Sequence, residues 1–121
     1  MRCYLHAKIH RATVTDANLD YMGSITVDRA LLQKTGLAPG EKVLVSNITN
    51  GNRLETYILA GNSGEMCMNG AAAHLAKRGD KIIVMAFEWS LTPVAAKVIL
   101  VDENNGFIRY LTEEPGIIEN G

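Results

Sequence analysis

Short β-forming runs, each closed by a glycine, asparagine or proline turn, recur along the chain, and this rhythm restricts what it can fold into. Residues 2–14 alternate weakly and are rich in β-formers, which predicts a strand with Lys8 and His10 on one face and Ile9 on the other. Residues 15–23 carry Thr, Asp, Asn and Gly and read as a loop, followed by a short strand over 24–27. Asp28 is placed to cap a helix over 29–35 that Gly36 ends. Residues 42–48 and 53–59 are predicted strands around an Asn50-Gly51 hairpin turn. After a turn at 61–64, Asn69 is predicted to open a short alanine-rich helix that runs through Lys77 and closes at Gly79. Residues 80–87 form an apolar, β-branched strand. Segment 90–96 is ambiguous, with Pro93 suited to the first turn of a helix. Strands over 97–101 and 107–111 flank an Asn104-Asn105-Gly106 turn, and 113–121 reads as a frayed tail. Many short strands with two or three short helices predict a mainly β domain spanning residues 1–121, built as a small β-barrel.

Composition narrows the function. At 121 residues the chain makes one domain with room for a real core. Its formal net charge of -1 gives no bulk attraction to nucleic acid. Cys3 and Cys67 stand alone, with no CxxC, which argues against a disulfide scaffold or a zinc site and for a reducing, cytoplasmic setting. No secretory signal is visible, and no apolar run is long enough to span a bilayer.

Four stretches carry chemistry. The first is Asp20-Tyr21-Met22-Gly23-Ser24-Ile25-Thr26-Val27-Asp28. A serine hydroxyl can attack the carbonyl of its preceding residue where the backbone is strained, turning the amide into an ester. Elimination across the serine then breaks the chain and leaves dehydroalanine, which hydrolyses to a pyruvoyl group. Glycine before the serine suits this because it has no Cβ and tolerates unusual dihedrals. As a bare dipeptide, Gly23-Ser24 is an ordinary loop signal. The second stretch is Lys8-Ile9-His10-Arg11. The third is Thr49-Asn50-Gly51-Asn52-Arg53-Leu54-Glu55-Thr56-Tyr57. In a flat strand Thr56 and Tyr57 face opposite sides, so both reach one site only through a twist, a bulge or a subunit boundary. The fourth is Asn69-Gly70-Ala71-Ala72-Ala73-His74, a helix start whose free N–H groups make a ready anion site beside small side chains.

Together, in this order and in so short a chain, these stretches closely resemble the aspartate 1-decarboxylase family from about Lys8 to Phe87. The resemblance implies a double-psi β-barrel and self-cleavage after Gly23 into chains 1–23 and 24–121. It implies a covalent pyruvoyl cofactor derived from Ser24. It also implies conversion of L-aspartate to β-alanine and CO2, the β-alanine branch of pantothenate and coenzyme A synthesis. The pyruvoyl group acts as an electron sink in the manner of pyridoxal phosphate, without a bound cofactor. The resemblance gives Tyr57 the role of proton donor and Thr56 roles in serine activation and substrate contact. Gly70, Ala71 and Ala72 hold a substrate carboxylate, and Asn69 hydrogen-bonds near the pyruvoyl group. Arg53 and Lys8 are the cations for the two carboxylates of aspartate, Arg as a bidentate fork and Lys as a point charge. Tyr21 is expected near the cleavage loop, and His10 is a weaker candidate for a proton shuttle. The family works as a homotetramer with sites at subunit boundaries, and some members need a maturation partner. Two features depart from the family pattern. The segment between Tyr57 and Asn69 is short, and Ser46 stands where a larger side chain is common.

Each residue also has a plainer reading. A strand tyrosine usually packs on its sheet, and Arg and Lys are usually solvated. One alternative for the whole chain is a swapped-hairpin or double-psi DNA-binding regulator, which the near-neutral charge disfavours. Another is an uncleaved, non-catalytic homologue.

Overall fold

The computed structural model describes residues 1–113. The expected frayed tail, apart from Glu113, lies outside the described residues. Those residues form β1 (Arg2–Thr13), β2 (Asp16–Asn18), β3 (Ser24–Asp28), α1 (Arg29–Thr35), β4 (Lys42–Asn47) and β5 (Arg53–Gly61). They continue with β6 (Met66–Asn69), a 3-10 helix (Gly70–His74), β7 (Lys81–Ser90), β8 (Lys97–Val101) and β9 (Phe107–Tyr110). The fold is mainly β, as the turn-punctuated sequence implies.

The strands make one nine-stranded sheet in the order β2-β6-β3-β5-β4-β7-β1-β8-β9. The β3–β5, β1–β8 and β2–β6 pairs are parallel, and the other pairs are antiparallel. Only Val14 and Thr15 separate β1 from β2, yet these strands hold distant places in the sheet. At this junction Val14 N–H donates to Asp80 O, Thr15 N–H donates to Met66 O, and Met66 N–H donates to Thr15 Oγ1. The sheet therefore curls around one core, in which Ile9, Ile25, Ile58, Met68, Ile82 and Ile99 are fully buried. Each such side chain contributes about 1.5–3 kcal/mol relative to exposure.

The helix α1 forms where its caps place it. Asp28 Oδ1 accepts the Ala30 N–H at 2.8 Å, and Gly36 ends the helix in the left-handed region at φ 78°. The other oxygen of Asp28 accepts Gly64 N–H at 2.8 Å, tying the cap to the turn before β6.

Three expectations need correction. β2 is a strand where the sequence reads as a loop, and β6 is a strand in a stretch left unassigned between the 61–64 turn and Asn69. Each is short, and only pairing with β3 and with each other reveals them. The helix expected from Asn69 to Lys77 is a single 3-10 helix that ends at His74. Gly70 enters it at φ 64°, outside the α region. The Leu75 carbonyl receives the side-chain amides of Asn47 (3.0 Å), Asn50 (3.4 Å) and Asn52 (3.3 Å), so it does not extend a helix. Finally, β7 continues to Ser90, and 91–96 forms no helix despite Pro93.

Candidate active site

In the antiparallel β3–β6 ladder, Ser24 lies opposite Asn69 and Thr26 opposite Cys67. Strand alternation sends Ile25, Val27, Met66 and Met68 into the core and leaves Ser24, Thr26, Cys67 and Asn69 together on the other face. Asn69 Nδ2 donates to Ser24 Oγ at 2.8 Å and to Thr26 Oγ1 at 3.0 Å. Both amide hydrogens are thus engaged, and Ser24 and Asn69 are buried. Cys67 Sγ lies 3.2 Å from Asn69 Oδ1 and donates to it. Burial raises the pKa of the Cys67 thiol, and the carboxylates of Asp16 and Glu65 raise it further, so it stays protonated and able to donate.

Gly70 follows directly. A Cβ there would stand 2.8 Å from Gly23 N, 2.8 Å from Tyr21 O and 2.9 Å from Gly23 Cα. Position 70 therefore calls for glycine, both for these backbone contacts and for its φ of 64°. At Gly23 itself an added Cβ meets nothing within 4 Å, and φ is not in the left-handed region, so the expected reason for glycine at 23 is not seen in this conformation. Tyr21 lies in this loop as expected, with its side chain exposed.

A cleft of about 250 Å³ opens beside Gly23, lined by Leu54, Thr56, Ala71, Ala72 and Leu75 among others. Thr56 reaches the cleft from β5, which runs parallel to β3. The small side chains of Ala71 and Ala72 expose the first turn of the 3-10 helix to it. Six of the sequence-predicted residues, Ser24, Thr56, Asn69, Gly70, Ala71 and Ala72, thus gather around the Gly23-Ser24 bond. A group generated at residue 24 fits here, because residue 24 is buried, carries an amide donor and adjoins a small-residue cleft.

Lys8 and Arg53 do not join them, whereas Tyr57 stands one residue before the β3–β5 pair Ile25↔Ile58, on the same sheet face as Ser24. The β4–β5 ladder runs without a register shift from Lys42↔Tyr57 to Ser46↔Arg53, so no bulge turns Tyr57 toward Thr56. Tyr57 is 41% exposed on the outer face of β5, which also carries Arg53 and Glu55. Glu55 there pairs with Lys42 at 2.5 Å, a hydrogen bond and charge contact that raise the Lys42 pKa. Lys8 lies on β1, opposite Met85 of β7, which in turn lies opposite Leu44 of β4. Lys8 is therefore three strands from β5, and its Nζ donates to Glu113 at 3.2 Å. Ile9 packs in the core, so Lys8 and His10 point away from it on the outer side.

Residues 1–108 match the family model described as Aspartate decarboxylase. The chain belongs to the aspartate decarboxylase family. It is 53% identical over 117 residues to an aspartate 1-decarboxylase of Clostridium botulinum, covering 91% of each chain. It is 49% identical over 120 residues to one of Neisseria meningitidis and 47% identical over 120 residues to one of Geobacillus, covering 94% of each chain in both cases. An aspartate decarboxylase is an enzyme, so the DNA-binding alternative falls. Sequence reasoning missed Thr26 and Cys67. The available signal was their spacing, two residues from Ser24 and Asn69 respectively, which puts each on the same strand face as its neighbour.

Proposed function

We propose that the chain converts L-aspartate to β-alanine and CO2 through a pyruvoyl group made from its own Ser24, after cleavage of the Gly23–Ser24 bond. Such a group supplies a carbonyl that withdraws electrons as CO2 departs. The observation that carries the reading is the buried Asn69 Nδ2–Ser24 Oγ hydrogen bond beside the Gly23 cleft, in a member of this family.

The roles follow from placement. A donor on Ser24 Oγ stabilises the negative charge that develops there as its proton leaves, so Asn69 favours attack on the Gly23 carbonyl. Thr56 supports the same step from the cleft wall. In the mature enzyme the backbone N–H groups of residues 70–72 and the cations Arg53 and Lys8 hold the two carboxylates of aspartate. Tyr57 delivers the proton that replaces CO2. Lys8 and Arg53 serve a neighbouring chain, because neither stands beside its own Ser24 in the sheet, whereas Tyr57 accompanies its own Ser24 across the parallel β3–β5 pairing. The assembly is a homotetramer with each site at a boundary between two chains. The enzyme acts in the cytoplasm and supplies β-alanine for pantothenate synthesis.

A denaturing mass spectrum of the purified protein tests the first step. Chains of residues 1–23 and 24–121, the second blocked by a pyruvoyl group, are expected. Ser24→Ala is expected to remain one chain without decarboxylase activity. An intact wild-type chain, or an active Ser24→Ala, would overturn the mechanism and leave the non-catalytic homologue.

A further inference from the structure

We infer that Cys67 is a positioning residue for self-cleavage: its S–H fixes the orientation of the Asn69 amide, which in turn presents a donor to Ser24. This rests on the cleavage proposed above. Asn69 and Cys67 are two apart on β6 and face the same side, where Ser24 and Thr26 of β3 lie opposite them. An amide side chain in such a place can be turned either way. With Nδ2 toward β3, it donates to Ser24 Oγ at 2.8 Å and Thr26 Oγ1 at 3.0 Å. Turned over, it would offer Oδ1 to both hydroxyls and hold the Ser24 proton in place, opposing attack. Both hydroxyls can accept or donate, so they do not select between the two orientations. The choice falls to the group at the other end of the amide, which is Cys67 Sγ, 3.2 Å from Asn69 Oδ1. Its other contact, Met68 O at 3.9 Å, is much longer. A thiol donates to Oδ1 and locks Nδ2 toward Ser24. A thiolate only accepts, so it would draw Nδ2 to itself and reverse the relay.

The groups facing Cys67 are Asp16 of β2, Glu65 at the head of β6 and Thr26 of β3. The two carboxylates and burial all favour the protonated thiol, so the relay is intact at neutral pH. Its loss belongs to pH above the usual thiol range. Thr26 does not titrate in that range.

The test is the rate at which newly synthesised full-length chain splits after Gly23, followed by denaturing mass spectrometry across pH. Wild type, Cys67→Ser and Cys67→Ala are compared. Cys67→Ser keeps a donor and is expected to split at close to the wild-type rate. Cys67→Ala is expected to be slower by roughly two- to ten-fold, the range for one lost neutral hydrogen bond. The wild-type rate is expected to fall at alkaline pH, with Cys67→Ser lacking that fall because its hydroxyl stays protonated. This profile needs no alanine variant, so it decides the matter even if Cys67→Ala fails to fold. Equal rates for all three chains, or matching alkaline profiles for wild type and Cys67→Ser, overturn the role of Cys67 while leaving cleavage itself standing. A wild-type chain that never splits overturns both.

Discussion

The ladder of β3 and β6 and the outer face of β5 sit in the same sheet but in opposite physical states. In the ladder, polar groups are buried and hydrogen-bonded: the Asn69 amide serves Ser24, Thr26 and Cys67 at once. On the outer face, Tyr57 and Arg53 are exposed, and the nearest charge pair, Lys42–Glu55, is in solvent. The first region is complete within one chain, as the proposed reaction of the chain on itself requires. The second is built to meet something else. On the proposed function, self-processing and substrate chemistry make different structural demands, one met by a buried, hydrogen-bonded cluster and the other by exposed side chains.

The most severe test of that division is Tyr57→Phe. If the outer face serves turnover alone, the variant splits normally after Gly23 but loses about 10²–10⁴-fold in kcat, the range for one positioned proton donor. Slow splitting would mean the two regions are not separate. Arg53→Lys keeps the charge but loses the bidentate fork. A drop in kcat/KM for aspartate worth about 1.5–3 kcal/mol is expected, the scale of one charge-assisted hydrogen bond, and an unchanged value would return Arg53 to the solvated surface. Gly70→Ala probes the other region. Its Cβ would press on the backbone of Tyr21 and Gly23 at 2.8 Å, and position 70 has φ 64°. A stability loss of about 1–3 kcal/mol by denaturant titration is expected, together with slowed splitting. Full stability and normal splitting would show that the loop adjusts freely and that its contact with Gly70 is incidental.

Much of this was readable in the chain before folding, because the relevant signals are local. Asp28 and Gly36 bracket α1, and Asn50-Gly51 marks the β4–β5 turn, since capping and turn chemistry depend on a few adjacent residues. The alternation that sets Thr56 and Tyr57 on opposite faces was equally visible and holds without a bulge. β2 and β6 were hidden because strands of three and four residues owe their existence to distant partners. The truncated helix after Asn69 was hidden for the same reason. Its stop is a carbonyl, that of Leu75, taken by amides from another hairpin. Around the site, the reactive residue types were legible, whereas the companions Thr26 and Cys67 emerge only when β3 and β6 are paired.

On the proposed function, one working site combines the cleavage cluster and Tyr57 of one chain with Arg53 and Lys8 of another. Co-expression of Ser24→Ala with Arg53→Ala tests it most directly, because each variant spoils a different region. Decarboxylase activity is expected to return in part in mixed oligomers, where an intact Ser24 region meets an intact Arg53 region across a boundary. The companion mixture of Arg53→Ala with Tyr57→Phe is expected to regain activity in part as well, since Tyr57 accompanies its own Ser24 while Arg53 serves a neighbour. Mixed oligomers of the first pair that demonstrably form yet show no activity would contradict the shared site.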